Sequence, residues 1–204
     1  MNHKNGLFKV SALLVIMLIS LKVTFGQPAA KKALMVIDVQ ENFLNPESKI
    51  HINTPHAGSF LSSLNLSVSK FYKNNDLILY VVNEWTNPVM NWATGNVSKK
   101  SGSGVGLDKR LLVVNENIFS KSKSNSLTNK DVLKILRDNE ISEVYVAGLL
   151  AEGCVKATVK GLIKEKFNVV VIEDALGSKN EANKLKVTEF FQGENIEIIN
   201  SDKL

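Results

Sequence analysis

Short, nearly continuous apolar runs alternate along the chain with segments whose apolar residues recur every three or four positions. The apolar runs lie at residues 33–39, 77–82, 111–114, 144–147, 169–172 and 196–199. Runs of this kind are typical of strands buried on both faces of a parallel sheet. Helical spacing occurs at residues 60–71, 132–141, 155–163 and 180–191, with Thr128 as the predicted N-cap of the second helix. The alternation predicts an α/β fold with helices on both faces of a parallel sheet.

The longest stretch without either pattern runs from Glu84 to about Lys109 and contains Trp85 and Trp92. An irregular stretch of this length inside a compact domain is usually either functional or disordered. The two tryptophans favour a functional segment that covers substrate or contacts another subunit.

The N-terminal residues have the pattern of an export signal. An apolar run over residues 10–21 is flanked by lysines, and it is shorter than the roughly 20 residues that a bilayer-spanning helix needs. We therefore predict a signal peptide over residues 1–26 and one mature domain over residues 27–204, with an uncleaved anchor as the alternative. Removing the three lysines of the signal lowers the net charge from +5 to about +2. The mature domain is therefore expected to bind neither nucleic acid nor membrane.

Cys154 is the only cysteine, so the chain cannot form an intramolecular disulfide. Small exported domains of eukaryotes are normally stabilised by disulfides, and a bacterial periplasmic or secreted protein is the expected context. Cys154 follows the fourth apolar run at the predicted start of a helix, where backbone N–H groups and the helix dipole stabilise a thiolate. It is either a nucleophile or a small buried apolar residue.

A carboxylate lies at a comparable position, because Asp38 is near the carboxyl end of the first apolar run. Ligands of open parallel sheets bind outside the carboxyl ends of the strands. If the first and fourth strands are neighbours, Asp38 and Cys154 meet at this edge. A carboxylate within an apolar run is costly unless it is paired or used.

The three histidines do not provide an obvious base for Cys154. His3 belongs to the predicted signal, and His51 and His56 lie in a predicted loop with no third ligand for a metal site. Asp38 therefore becomes the candidate proton acceptor, because desolvation at a strand end can raise the pKa of a carboxyl group. A nearby lysine could favour the charged thiolate.

Four segments resemble the isochorismatase-like cysteine hydrolases. Residues 33–43 (ALMVIDVQENF) are similar to the family's apolar run followed by Asp-x-Gln-x-Asp-Phe, and residues 147–158 (AGLLAEGCVKAT) to its Gly-Val-x-Thr-x-x-Cys-Val-x-x-Thr. Residues 167–175 match the next strand with its terminal Asp-Ala. Residues 118–121 (IFSK), followed by Leu127, resemble the family's lysine segment, which selects Lys121 as the lysine.

The resemblance implies a three-layer α-β-α, Rossmann-like fold with a six-stranded parallel sheet and an Asp38–Lys121–Cys154 triad. In the family's scheme the cysteine attacks, the aspartate accepts and returns the thiol proton, and the lysine supports the charged state. The backbone N–H groups of Leu150 and Cys154 would form an oxyanion hole, and a cis peptide is expected between Leu149 and Leu150.

The chain departs from the family at three positions. Asn42 replaces the usual Asp and Ala151 the usual Thr, which is expected to weaken hydrogen bonding around the site, and Leu127 replaces an aromatic residue. The nicotinamidases of the family carry a histidine metal site after the second strand, whereas residues 83–88 contain no histidine. Neither a metal nor another cofactor is therefore expected. Family members that cleave a vinyl ether do not need the cysteine, so Cys154 favours hydrolysis of a C–N bond.

The predicted function is that of an exported cysteine hydrolase that cleaves an amide-type bond of a small molecule through a covalent acyl-enzyme. The alternative is an inactive binding or assembly protein, which the substitutions at Asn42 and Ala151 suggest. Phe43, Trp85 and Trp92 are candidates for the pocket wall, although a core or interface position explains them equally well. The family commonly pairs its subunits, so a homo-oligomer is a further expectation.

Overall fold

The computed structural model describes residues 30–52 and 57–204, which form a twisted sheet of six parallel strands between two helical layers. The strands are Lys32–Ile37 (β1), Leu77–Asn83 (β2), Ile118–Lys121 (β3), Glu143–Gly148 (β4), Asn168–Leu176 (β5) and Glu197–Ile199 (β6). Their order across the sheet is β3-β2-β1-β4-β5-β6, and each neighbouring pair is parallel. The predicted fold class is confirmed.

The helices divide between the two faces of the sheet. They are Glu41–Leu44 (α1), Ala57–Lys73 (α2), Pro88–Thr94 (α3), Lys130–Asp138 (α4), Lys156–Lys164 (α5) and Glu181–Gly193 (α6), with a π-helical turn at Ala151–Val155 and 3₁₀ turns at Ser126–Thr128 and Ser201–Lys203. Alternate residues of β1 point to opposite sides, so that Leu34 and Val36 join the cluster packed against α1 and α2. Ala33, Met35 and Ile37 join the cluster packed against α4, α5 and α6.

The central strand β1 is the most deeply buried, since every side chain from Ala33 to Ile37 is fully shielded from solvent. Burying a side chain the size of Leu or Ile contributes about 1.5–3 kcal/mol. β1 pairs with β2 on one side and with β4 on the other. The strands that precede Asp38 and Cys154 are therefore adjacent, as the sequence pattern requires if the two residues are to meet.

The predicted strand at residues 111–114 is wrong, because the third strand is Ile118–Lys121. The apolar run lies outside the sheet and is anchored by Tyr80, whose hydroxyl donates to the Leu112 carbonyl (3.0 Å) and accepts from Val114 N–H (3.2 Å). The true strand is at the sheet edge, with Ile118 47 % exposed. Its weaker apolar pattern follows from this position.

Two smaller expectations also change. Helix α4 is capped by Asn129, whose side chain accepts from Asp131 N–H at 2.9 Å, and not by Thr128, which belongs to the preceding 3₁₀ turn. The long segment after β2 is irregular except for α3, which begins after Asn87 and has Pro88 as its first residue.

The predicted signal peptide over residues 1–26 and His56 lie outside the described residues. Among the helices that the structure describes, none is long and apolar enough to cross a bilayer.

Candidate active site

Asp38 lies immediately beyond the carboxyl end of β1. Its φ of 55° takes the chain out of the strand direction, and its N–H still donates to the Val81 carbonyl of β2 at 2.7 Å. Its side chain is only 1 % exposed. The main chain on both sides of the carboxylate is therefore fixed by the sheet.

Lys121, the last residue of β3, reaches across the end of β2 to this carboxylate. Its Nζ donates to Asp38 Oδ2 at 2.8 Å and to Cys154 Sγ at 3.3 Å. The lysine side chain is fully buried, so its ammonium group is compensated by the carboxylate and the thiol that it contacts rather than by bulk water. The three residues predicted as a triad come together in the structure around one lysine nitrogen.

Cys154 lies in the π-helical turn that follows β4, and its side chain is only partly buried. Gly148 makes the approach of this turn to β1 possible. It has a φ of 122°, and a Cβ atom at this residue would lie 2.1 Å from the Ile37 carbonyl oxygen. The next N–H, of Leu149, donates to that same oxygen at 2.9 Å. The peptide bond between Leu149 and Leu150 is cis, as the resemblance implies.

A carboxylate that the sequence did not single out holds the turn of Cys154 in place. Glu152 accepts hydrogen bonds from Ser178 Oγ (2.8 Å), Lys179 N–H (3.2 Å) and Asn183 Nδ2 (3.1 Å). These donors come from the loop after β5 and from α6. Glu152 therefore ties the cysteine turn to the neighbouring loop, a role that only the folded arrangement reveals.

Burial dominates the electrostatics of the cluster. It raises the pKa of Asp38, although the charge of Lys121 and hydrogen bonds from Cys154 and Lys121 oppose the shift. Burial alone would lower the pKa of Lys121, but the charges of Asp38 and Cys154 and the hydrogen bonds to both outweigh it, so that this pKa is raised.

The same effects act on the thiol. Burial, followed by the negative charge of Asp38, raises the pKa of Cys154 to about 12, even though Lys121 favours the thiolate. The expectation of a thiolate stabilised at a helix N-terminus is therefore corrected: at neutral pH the resting group is a thiol.

The two predicted oxyanion-hole donors lie in this turn, at Cys154, and at the residue before it. Leu150 immediately precedes it, and its carbonyl accepts from Gly153 N–H (2.9 Å) and Val155 N–H (3.3 Å). These bonds fix the backbone around the N–H groups of Leu150 and Cys154. Their role toward a substrate stays a prediction.

The aromatic candidates are spread over the structure. Phe43 is buried in the apolar cluster on the α2 face and Trp85 packs partly against it, whereas Cys154 packs against the cluster on the opposite face. Trp92, on α3, is 80 % exposed. The structure does not group them over Cys154, and their contribution to a pocket stays a prediction.

Gln40 anchors the long segment to the site. Its fully buried side chain donates to the carbonyls of Asn83 (3.1 Å) and Val105 (2.5 Å) and accepts from Asn83 N–H at 2.8 Å. It therefore joins the end of β2 to a point more than twenty residues further along the chain.

Asn42 also binds the long segment. Its Nδ2 donates to the carbonyls of Val97 (3.0 Å) and Ser103 (2.7 Å), two bonds that the usual aspartate, which lacks a donor when ionised, could not make. Whether bonding around the site is weaker than with an aspartate stays a prediction. Ala151 is fully buried and its N–H donates to the Gly177 carbonyl at 2.7 Å, while Leu127 packs at the margin of the α5-side cluster.

A cavity of about 340 Å³ lies at the carboxyl ends of β2 and β3, with Glu84, Lys100, Lys121 and Lys123 among its lining residues. Within residues 30–52 and 57–204, no group of three or more His, Cys, Asp or Glu side chains is placed to hold a metal ion.

The order of the motifs and the geometry of the site agree with the family comparison. A family model described as the Isochorismatase domain matches residues 32–202. The chain belongs to the isochorismatase family. A curated relative, the isochorismatase family protein YddQ of Bacillus subtilis, is 24 % identical over 147 residues, covering 70 % of this chain and 76 % of the relative.

Solved structures of the isochorismatase family have the same fold at low identity. A cysteine hydrolase from Pseudomonas syringae pv. phaseolicola has a TM-score of 0.77 and 13 % identity, with 85 % of this chain and 90 % of that chain covered. N-carbamoylsarcosine amidase from Thermoplasma acidophilum has a TM-score of 0.74 and 21 % identity, with 85 % and 98 % covered. At these identities the likeness concerns the fold.

Proposed function

We propose that the chain is a cysteine hydrolase that cleaves the amide-type C–N bond of a small molecule. The supporting observation is the contact of one buried ammonium group with both a buried carboxylate and a partly exposed thiol, at 2.8 and 3.3 Å. Membership of the isochorismatase family and the fold shared with a cysteine hydrolase and an amidase agree with this reaction class.

In the proposed reaction, Cys154 Sγ attacks the amide carbonyl carbon while Asp38 accepts the thiol proton. The oxyanion that forms is stabilised by the N–H groups of Leu150 and Cys154. Asp38 then returns the proton to the leaving nitrogen as the C–N bond breaks, which leaves a thioester. A water molecule, deprotonated by Asp38, attacks the thioester and releases the carboxylic acid and the thiol.

The direction of the pKa shifts suits this cycle. A raised pKa makes Asp38 a stronger base, and a raised pKa keeps the Cys154 thiol protonated until substrate arrives. Lys121 stays charged and compensates the negative charge as it moves from the carboxylate to the sulfur. Proton transfer and attack are therefore expected to be coupled.

The decisive variant is Cys154→Ala, with Cys154→Ser as its matched control. Loss of the nucleophile is expected to lower kcat/KM for any amide that the wild type hydrolyses by about 10³-fold or more. Release of ammonia or amine from an amide panel measures the rate, and mass spectrometry of quenched reactions detects the acyl-enzyme. Unchanged turnover by Cys154→Ala would exclude the mechanism.

The alternative, an inactive binding or assembly protein on the same fold, is distinguished by the same assay, since it would release neither ammonia nor amine from any amide of the panel. We further propose that the hydrolase is exported, on the strength of the sequence pattern over residues 1–26. N-terminal sequencing of the mature protein from each cell fraction tests this location.

A further inference from the structure

Asn83, the last residue of β2, carries a buried side-chain amide. Its side chain is 1 % exposed, and neither Nδ2 nor Oδ1 makes a hydrogen bond within the part of the chain that the structure describes. Buried polar groups are paired in the large majority of cases, and each exception requires an explanation. In this amide both the donor and the acceptor carry the cost of burial without a partner.

The fold does not explain why an amide stands at this position. The contacts that hold Asn83 are made by its main chain, which donates to Gln40 Oε1 at 2.8 Å and accepts from Gln40 Nε2 at 3.1 Å. Any residue could make these two bonds. A leucine of similar size would fill the same space without an unpaired donor and acceptor, so packing does not account for the carboxamide.

The position of Asn83 connects it to the triad. Asn83 is the register partner of Lys121, so the two side chains leave the sheet on the same face. The preceding pair on that face, Val81 and Phe119, packs into the cluster that Cys154 also contacts. The carboxamide therefore lies beside the lysine that contacts both reacting groups.

A cavity lies one residue away from Asn83, which does not itself line it. Glu84, which follows Asn83, and Lys121, its register partner, both line the cavity of about 340 Å³ at the ends of β2 and β3. Its volume is in the range of small-molecule sites. Substrate must displace a neighbouring side chain to reach the amide, and side-chain adjustments of this kind are common on binding.

We propose that Asn83 is a specificity-determining residue, which hydrogen-bonds a small amide substrate that carries a second carbonyl oxygen near the scissile bond. The inference rests on the proposed hydrolase function. With the scissile carbonyl in the oxyanion hole, the substrate nitrogen can donate to Asn83 Oδ1. Nδ2 then needs an acceptor from the same molecule, and a second carbonyl oxygen supplies it. A simple monoamide leaves Nδ2 unpaired.

Malonamide and 3-methylbutanamide form a suitable probe pair, since an isopropyl group replaces the second carboxamide at nearly the same shape. The wild type is expected to prefer malonamide in kcat/KM by at least about tenfold, and Asn83→Leu is expected to lose or reverse this preference. Ser98→Ala is the matched control, because the Ser98 hydroxyl is also buried and unpaired among the described residues but lies in the long segment. Its preference should equal that of the wild type. An unchanged ratio in Asn83→Leu overturns the proposal.

Two measurements test the role of Asn83 without requiring hydrolysis of a substrate. In the Cys154→Ala background, calorimetry should find malonamide bound more tightly than 3-methylbutanamide, and Asn83→Leu should abolish the difference; equal binding overturns the proposal. Asn83→Leu should also raise the Tm of the ligand-free protein, whereas a lowered Tm would show that the amide is structural and paired, for example through a buried water. Failure of the hydrolase proposal would appear in a different experiment, as unchanged amide hydrolysis by Cys154→Ala.

Discussion

The centre of the sheet and its β3 edge hold parts of one site in different ways. At the centre, Asp38 and Cys154 follow two adjacent, fully buried strands, and their positions are fixed by main-chain contacts such as that of Asp38 N–H with the Val81 carbonyl. At the edge, Lys121 is the last residue of a strand of only four residues. The long segment beside it is held by side chains, above all those of Gln40 and Asn42.

This difference places the proposed reaction at the centre of the sheet and the proposed substrate preference at its edge. The proposed base, Asp38, and the proposed nucleophile, Cys154, follow neighbouring strands at the centre of the sheet, so their mutual geometry depends on the core. The residues proposed to contact the rest of a substrate, Asn83 and the cavity lining, lie toward the edge. Substitutions at the centre should therefore lower both the free energy of unfolding and the activity. Substitutions at the edge should alter substrate preference or local order.

The largest effect is expected for Lys121→Met, which leaves the Asp38 carboxylate buried without a cation. Removing one member of a buried pair costs about 3–5 kcal/mol in the free energy of unfolding, and activity should be lost as well. Urea denaturation measures the stability. The double variant Asp38→Asn with Lys121→Met should recover stability but not activity.

Lys134→Met is the matched control for the lysine prediction. Lys134 pairs with Asp138 on the surface of α4, where both side chains are more than half exposed. Pairs of this kind contribute little, so the control should unfold like the wild type. If Lys121→Met and Lys134→Met lowered the free energy of unfolding equally, burial of the Asp38–Lys121 pair would not explain the loss.

The next effect concerns the backbone turn at the centre. Gly148→Ala places a Cβ 2.1 Å from the Ile37 carbonyl oxygen at a φ of 122°. The combined strain and overpacking should cost about 2–4 kcal/mol, and the displaced cysteine turn should lower kcat/KM. Gly193→Ala, at the end of α6, meets no atom within 4 Å and should leave both quantities unchanged. A stable, active Gly148→Ala would contradict the role of this close approach.

The centre was also the part that the sequence predicted well. A continuous apolar run predicts a strand buried on both faces. A carboxylate within such a run, such as Asp38, is unusual and is therefore easily identified as a candidate functional residue. The apolar pattern of the edge strand β3 is weaker than that of the central strands. The apolar run at residues 111–114, which packs beside the sheet, was therefore mistaken for the third strand. Lys121 was found through resemblance to a family.

The supporting contacts could not be predicted from the chain alone. Gln40 and Asn42 bind carbonyls more than fifty positions away along the chain, such as those of Val105 and Val97, and carbonyl positions leave no trace in the sequence. The loss of the aspartate at Asn42 was therefore interpreted as a weakening. The unpaired state of Asn83 likewise depends on what surrounds its side chain in the fold.

The pH dependence tests the electrostatics of the centre. Attack requires the Asp38 carboxylate, whose pKa is raised by burial, so the acid limb of kcat/KM should lie above the range of an ordinary aspartate. Below that limb the rate should fall about tenfold per pH unit. Lys121 has a raised pKa and should impose no alkaline limb below about pH 10. An acid limb in the ordinary aspartate range would mean that Lys121, not burial, controls this carboxyl group.

The smallest effect is expected at the edge, from Asn42→Asp. The Asn42 side chain donates to the carbonyls of Val97 and Ser103. An ionised aspartate loses both bonds, which should lower the free energy of unfolding by about 1–2 kcal/mol. Amide hydrogen exchange should accelerate around Val97 to Ser103 while the triad keeps its activity. Asn45→Asp is the control three residues away, because Asn45 Oδ1 accepts from Glu47 N–H at 3.0 Å and an aspartate keeps that bond. If both variants loosened the segment equally, added charge and not lost donors would be responsible, and the hydrogen bonds of Asn42 would no longer explain how the edge is held.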